Sequence, residues 1–561
     1  MTGRPVRSPT ASADPVIVAV LAAASGVAGW IWATGELAGW SATGRWPDVG
    51  TAALAVVIGR LPHFLGDPRQ AWPAAVRRTM PPAVVFYLWA AAGLPVLLAV
   101  ALAVRRVGGR GRPRGARWAV GSDLRSLCVG SPGRTGRLVV GRAVPANRRS
   151  TRRLVATETR HSLLVIGPTQ SGKTTGLAIP ALLEWRGPVV ATSVKDDLAG
   201  CTMGWRSSQG PCAVFDPTRS SGVGPLSRWS PVGMCRTWTE AQRMAGWLVE
   251  STPGRRGMAD AAFWYTTAAK QLAPLMLAAQ RSGGGLSEVV RWTDSGDFDE
   301  PISLLELSAE TDAALALSAC AARDDRIRSS VATTLETVLA PFEDPVVASS
   351  TDGSDIDVAA LLRGRGTLYL CGPSQEQNRV QGLFAALVST VVAEAFRLVA
   401  ETAQPLDPPL LLVLDEAANI APIRDLDTLA STGAGVGIQL VTVCQDLAQL
   451  AARYDAERAR TIANNHRAKL LLSGVSDLGT LDLVSGLAGE QPVREVSSTH
   501  DLRDGRRTRS TSTVMRRLAP TDELRRTPPG EGVLIYGHLP PIRVELRPWY
   551  RDRNLKRRAG A

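Results

Sequence analysis

The chain has 561 residues and a formal net charge of +13, with lysine only at positions 173, 195, 270, 469 and 556, so arginine carries nearly all of the positive charge. That length exceeds a single core of the usual ~100–200 residues, and an arginine excess beside abundant alanine and glycine is only a modest argument for nucleic acid. Seven cysteines (128, 201, 212, 235, 320, 371 and 444) form no CxxC pair and sit mostly in apolar runs, which excludes a zinc ribbon or disulfide frame and fits reduced, cytosolic thiols.

Residues 1–14 are small and polar and read as a flexible leader. From Pro15 to Thr34 the chain carries no charge over ~20 residues, the length that crosses a bilayer's hydrocarbon core. A cleavable signal peptide is the alternative, weakened by a second uncharged run from Pro81 to Val104. Trp30, Trp32, Trp40, Tyr87 and Trp89 suit interfacial or packed positions. Arg105, Arg106, Arg110, Arg112, Arg114 and Arg117 follow directly. This predicts two transmembrane helices, an extracytoplasmic loop over 40–80 and a cytoplasmic C-terminal bulk; the same arginines can meet anionic headgroups. Residues 105–160 then form a basic, strand-rich linker.

At His161 to Pro180, HSLLVIGPTQSGKTTGLAIP, a short apolar run meets a glycine-rich loop and a helical segment. Gly167, Gly172, Lys173 and Thr174 fall at the GxxxxGK[ST] spacing. Glycines let successive backbone N–H groups turn inward on an anion, and the helix N-terminus adds positive potential. Lys173 reaches the β- and γ-phosphates and the Thr174 hydroxyl holds Mg2+. The flanking strand and helix separate this from a chance glycine-rich turn.

Apolar strand-like runs then recur at 188–194, 212–215, 367–371, 410–414, 439–443 and 469–472, with helix-length segments between them. That is the pattern of a parallel sheet covered on both faces, a P-loop α/β domain over 161–235 and 351–550. Residues 236–350 break the rhythm with helical spacing of Ala, Leu, Met and Trp and predict an all-helical insertion. Within it, Phe263, Trp264 and Tyr265 are expected in the core rather than as a stacking platform for bases.

The strand LLLVL ends in Asp415 and Glu416. The first acid supports Mg2+ and the second polarises the attacking water; acids favoured at a helix N-terminus are the plainer reading. Gln445 ends the run QLVTVC, expected beside the P-loop strand, where an amide can contact the γ-phosphate. Lys195 faces the same crevice or solvent. His466 has no metal-ligand spacing and is expected in local hydrogen bonds. Residues 493–517 alternate around Asp504-Gly505, a hairpin signal. Seven arginines against three acids make that hairpin electropositive, as a solvated edge or as a nucleic-acid contact. Beyond it lie EGVLIYGHLPPIRVELRPWY and a basic tail, 551–561.

Taken in order, GPTQSGKT (167–174), VVATSVKDDL (189–198), AVFDPTRS (213–220) with WSPV (229–232), FWYTTAAKQL (263–272), LLVLDEAANI (411–420), GIQLVTVCQDLAQL (437–450) with nearby Tyr454, and RPWY (547–550) resemble the type IV coupling protein family. These are membrane-anchored hexameric ATPases of conjugation and type IV secretion. The likeness spans residues ~150 to 550 together with the N-terminal anchor. It implies a RecA-like motor domain with an all-helical cap, assembled as a homo-hexamer at the inner membrane. The implied cargo is single-stranded DNA with an attached relaxase, delivered to a type IV secretion channel. Carried over to matching positions, Gly167, Pro168, Thr169, Gln170, Ser171, Gly172, Lys173, Thr174 and Thr175 bind ATP. Thr174 and Asp415 then hold Mg2+, and Asp415, Glu416 and the sensor Gln445 are catalytic. Some members carry a basic residue between two glycines shortly before the sensor strand, acting across the subunit interface. Here Gly433-Ala434-Gly435-Val436-Gly437 has none, and Arg424 and Arg467 substitute by position only. A protein-substrate receptor without DNA translocation and an ATP-binding membrane scaffold are the alternative functions.

Overall fold

The computed structural model describes residues 15–47, 49–108, 115–131, 136–144, 153–193, 196–252, 261–373, 375–500 and 507–560. The leader 1–14, Lys195 and the Asp504-Gly505 turn lie outside them. The chain divides into two compact units, residues 1–113 and 114–561.

In the first unit, helices form where the uncharged runs predict them, at Pro15–Thr43 and Ala83–Gly108. They lie side by side: Trp30 Nε1 donates to the Ala90 carbonyl (3.2 Å) and Trp89 Nε1 to Ser41 Oγ (3.1 Å). The connecting segment is partly helical, with Thr51–Arg60 and a small core around the fully buried Trp72. Gly35 is required there, since a Cβ would fall 1.9 Å from the Trp72 ring. Among the described residues of the second helix, the apolar stretch is Ala83–Pro95, shorter than a full span. The described helix that is both long and apolar enough to cross a bilayer is Gln377–Thr402, in the second unit, where Val380, Phe384, Leu387 and Val391 are fully buried in the core.

The second unit is organised on one sheet. Its strands, in chain order, are β1 (Cys128–Val129), β2 (Val139–Ala143), β3 (Leu154–Ala156), β4 (Leu163–Ile166), β5 (Val189–Ser193), β6 (Cys212–Phe215), β7 (Thr367–Cys371), β8 (Leu410–Leu414), β9 (Ile438–Cys444) and β10 (Ala468–Leu472). A separate ribbon, β11 (Glu490–His500) and β12 (Arg507–Arg517), precedes the last two sheet strands, β13 (Glu531–Tyr536) and β14 (Ile542–Glu545). The sheet order is β1-β3-β2-β14-β13-β10-β4-β9-β8-β5-β7-β6. From β10 to β6 every pairing is parallel, and from β10 back to β1 every pairing is antiparallel.

The parallel strands are buried on both faces because side chains alternate across a strand. In β4, Leu164 and Ile166 enter one core while Leu163 and Val165 enter the other. The first core also takes in the inserted helices; the second holds the helix after the P-loop. The strands predicted from 188 to 472 are all present with ends shifted by at most one residue.

Four expectations change. Residues 118–160 contribute strands, but β1 to β3 are hydrogen-bonded into the main sheet through β14 rather than standing as a linker. Helices fill the described residues between β6 and β7 from Trp238 to Arg363, so the helical insertion runs past 350. It opens on a capping box in which Glu240 N donates to Thr237 Oγ1 and Thr237 N to Glu240 Oε2. Of the cluster Phe263, Trp264 and Tyr265, only Tyr265 is buried. Phe263 is 54% exposed, packed edge-on against the half-buried Trp264, because the helix Ala261–Ser282 turns that face outward. The basic tail is folded back: Arg553–Arg558 is a helix with Leu555 fully buried, and Arg558 Nη1 donates to the Leu183 carbonyl at 2.8 Å.

Candidate active site

The end of β4 delivers the chain into the glycine-rich loop, and Gly167 N donates to the Cys444 carbonyl (3.1 Å), tying the loop's start to β9. Gln170 (φ +64°) and Gly172 (φ +88°) take left-handed backbone, which bends the loop around its own N–H groups. For Gln170, with its Cβ, that conformation carries strain of about 1–3 kcal/mol, the kind found at ligand clamps. Gly167 is held to glycine by space: a Cβ would sit 2.6 Å from Ser171 Oγ. Lys173 is buried, with Nζ donating to the Gly167 carbonyl at 2.6 Å, so its ammonium lies across the loop. Pro168, Ser171, Gly172, Thr174 and Thr175 are half-buried, while Thr169 and Gln170 are exposed at the rim.

The second acidic motif reaches the same place from β8. Asp415 is 7% exposed, and its Oδ2 accepts from Thr174 Oγ1 at 3.1 Å. Its other oxygen is buried with no hydrogen-bond partner, as is Ser171 Oγ. Thr192, at the end of β5, donates to the Asp415 carbonyl (2.9 Å) and fixes the backbone there. Burial raises the Asp415 pKa above the usual carboxylate value; the Lys173 charge and the Thr174 hydrogen bond oppose that shift, and Glu416 adds to it. A buried carboxylate oxygen without a partner, beside a threonine hydroxyl, supplies oxygen donors suited to a hard divalent cation.

Glu416 has left-handed backbone (φ +52°), which re-aims its side chain out of the strand direction. Asn419 N donates to the Glu416 carbonyl (2.8 Å) and Asn419 Nδ2 approaches Glu416 Oε2 at 3.4 Å. Gln445 follows β9, whose register pairs Cys444 with Ile166, so it stands beside Gly167. Its backbone N donates to Gln449 Oε1 (2.9 Å), and Gln449 N is capped by Asp446 Oδ1 (2.7 Å). The loop after β4, the amide after β9 and the acids after β8 thus meet at the carboxyl ends of three neighbouring strands, the usual ligand crevice of such sheets.

The sequence reading did not single out Thr192, Asn419 or Gln449. Asn419 and Gln449, three and four residues beyond Glu416 and Gln445, were legible as turn neighbours. His466 is buried and bonds the Ile462 carbonyl (2.7 Å) and Thr442 Oγ1 (2.8 Å), the local role expected of it. Gly433 to Gly437 precedes β9 at the sheet edge opposite the P-loop, and Arg467 precedes β10 at that same edge. Arg424 lines a groove with Asn419 and Gln449, and its guanidinium pairs with Glu250 of the helical insertion.

Fold and site together define a P-loop α/β domain: in the parallel half of a mixed sheet, a glycine-rich loop follows one strand, an acid pair follows the strand two away, and an amide follows the strand between. Residues 117–561 match the family described as "Type IV secretory system Conjugative DNA transfer", and the chain belongs to that family. It is 28% identical over 326 residues to the conjugal transfer protein TraG of Escherichia coli, covering 52% of this chain and 50% of that one. It is 26% identical over 414 residues to protein VirD4 of Agrobacterium fabrum, covering 71% and 60%. The chain therefore spans about half the length of the TraG relative. Among solved structures, the bacterial conjugative coupling protein TrwBdeltaN70 superposes with a TM-score of 0.59 at 20% identity, over 77% of this chain and 92% of that one. TrwB in complex with ADP and Mg2+ gives 0.58 at 20% identity, over 78% and 96%. These likenesses establish the shared fold.

Proposed function

We propose that the chain is a membrane-anchored ATPase whose hydrolysis drives delivery of single-stranded DNA, with an attached relaxase, into a type IV secretion channel. The observation that carries it is the contact of Thr174 Oγ1 with Asp415 beside the buried Lys173, which brings the two nucleotide motifs into one crevice. Gly167 to Thr175 bind the triphosphate of ATP, with loop N–H groups and the Lys173 ammonium neutralising it. Thr174 and Asp415 hold Mg2+, which when bound offsets phosphate charge and orients the γ-phosphate. Glu416 accepts the proton of the attacking water, with Asn419 steadying its carboxylate. Gln445, next to Gly167, contacts the γ-phosphate and registers its loss.

The ring is read as a homo-hexamer with the two N-terminal helices as a two-span inner-membrane anchor. Val84, Leu88, Leu94 and Leu98 are exposed apolar side chains on the second of these helices, which supports a lipid-facing surface. The hairpin β11–β12 supports a phosphate contact: it stands apart from the sheet, and the sequence 493–517 that it spans carries seven arginines against three acids. A protein-receptor reading is favoured by one feature, a polar cleft of about 880 Å³ between the helices Trp238–Glu250 and Gln377–Thr402, lined by Arg243, Glu240, Glu394 and Arg397.

ATP turnover by the purified chain, with and without single-stranded DNA, separates the readings. DNA-raised turnover that Lys173→Ala and Glu416→Gln abolish supports the motor. ATP binding without turnover in either condition overturns it in favour of a receptor or scaffold.

A further inference from the structure

The closing RPWY motif has no part in the chemistry above, yet it lies against the P-loop helix. After Thr174–Ala178, a wide π-type turn, the helix proper is only Ile179–Glu184, with Pro180 in its first turn. Six residues do not hold a helix by their own hydrogen bonds, so its position depends on what packs around it. Glu184, at its end, is 9% exposed, and a carboxylate buried that far needs a partner. The partner comes from 363 residues away: Arg547 Nη1 donates to Glu184 Oε2 (3.0 Å) and Nη2 to Glu184 Oε1 (2.8 Å), a two-pronged contact. Nη2 also donates to Asp552 Oδ2 (2.9 Å), and Asp552 caps the C-terminal helix. Burial works against the guanidinium's charge, but the two carboxylates outweigh it and hold Arg547 above its ordinary pKa.

The residues beside Arg547 reach the loop itself. Arg547 N approaches the Gly176 carbonyl at 3.4 Å. Leu546 fills the space under the loop: a Cβ on Gly176 would lie 2.9 Å from Leu546 Cβ, and one on Gly172 would lie 3.4 Å from Leu546 Cδ1. The two glycines and the leucine are therefore complementary surfaces, and the ion pair sets how closely they meet.

We propose that Arg547 is a positioning residue for the nucleotide: through Glu184 and the adjoining Leu546 it fixes the turn that carries Thr174 and Thr175, and so the shape of the phosphate cradle. It touches no substrate. The proposal rests on the reading that Gly167 to Thr175 bind ATP, and its test keeps the two apart.

The test measures Mg-ATP affinity with a fluorescent ATP analogue, the KM and kcat of turnover, and thermal unfolding of the nucleotide-free full chain. The variants are Arg547→Lys, Arg547→Gln and the double variant Glu184→Gln with Arg547→Gln. The double variant leaves no unpaired charge at position 184, and Asp552 keeps Arg142 at 3.7 Å, so it is expected to fold even where a single change does not. Arg281→Gln, which breaks the Arg281–Glu310 pair in the helical insertion, serves as a stability control with unchanged ATP affinity. In the double variant ATP affinity is expected to fall about tenfold or more, as small displacements of a positioning element do, with KM rising by a similar factor. Arg547→Lys, one-pronged, is expected to recover part of that loss. A folded double variant with parental affinity and KM overturns the proposal and leaves Arg547 as a stability contact only. A parental chain that binds no ATP, with Lys173→Ala indistinguishable from it, overturns the nucleotide-site reading instead.

Discussion

The parallel strands from β4 to β10, apart from the first half of the edge strand β6, are buried along nearly their whole length, and each is legible as an apolar run. The antiparallel wing is different: β1 to β3 come from residues 128–156 and β13 and β14 from 531–545, and the two sets are joined edge to edge by the pairing of Val544 and Glu545 with Ala143 and Arg142. The parallel half carries every group assigned to chemistry, on loops at its strand ends. The wing carries none, yet Leu546 and Arg547 follow its last strand directly and lie under the phosphate loop. One half therefore supplies the groups proposed to react and the other supplies the surface they rest on, a division that mutations in each half can break.

The largest effect is expected in the parallel half, at the site. Lys173→Ala removes the ammonium across the loop and is expected to lower ATP turnover by about 10²-fold or more. Glu416→Gln is expected to lose turnover while keeping ATP binding, which equilibrium binding beside a phosphate-release assay checks. If both variants lost binding equally, Glu416 would be a folding contact rather than a base.

Next comes Arg206, fully buried and donating to Thr367 Oγ1 (2.7 Å) and to the carbonyls of Trp185 (2.7 Å) and Gly187 (2.8 Å). Arg206→Met leaves those carbonyls without donors and is expected to cost about 3 kcal/mol in denaturant unfolding. A similar effect has a pH signature. Burial pulls the His466 imidazole down to about 4, whereas the unfolded chain holds it near ~6.5. The unfolded state then binds the proton more tightly, so this stability is complete above the unfolded value and is lost as pH falls toward about 4, by up to about 3 kcal/mol. His466→Gln is expected to flatten that slope between pH ~7.5 and ~4.5 in parallel urea titrations.

The smallest change tests the wing. A Cβ on Gly141 would sit 2.4 Å from the Glu545 carbonyl oxygen, so Gly141→Val is expected to cost about 2 kcal/mol by forcing β2 from β14. ATP affinity should fall with it, because Leu546 follows that strand. A destabilised variant with parental affinity would break the link between wing and loop.

The parallel core, the P-loop and the acids at 415 and 416 were legible because each rests on local spacing: four to seven apolar residues, then a turn with fixed glycine or acid positions. The insertion was legible by its helical period, although the period did not place Phe263, since which face of Ala261–Ser282 meets the core depends on its neighbours. The wing was half visible. Residues 118–160 read as strand-rich, but β13 and β14 were not marked as strands, and no local signal pairs them with a segment nearly 400 residues earlier.

What the sequence by itself determined is therefore the motif set and the order of buried strands, because backbone period and side-chain burial are local consequences of residue type. Only the tertiary structure decided that Thr192, Asn419 and Gln449 brace Asp415, Glu416 and Gln445, that the basic tail folds back, and that Glu184 finds Arg547. A buried carboxylate announces that it needs a cation, but folding chooses which of many arginines arrives, through strand pairings that close over hundreds of residues.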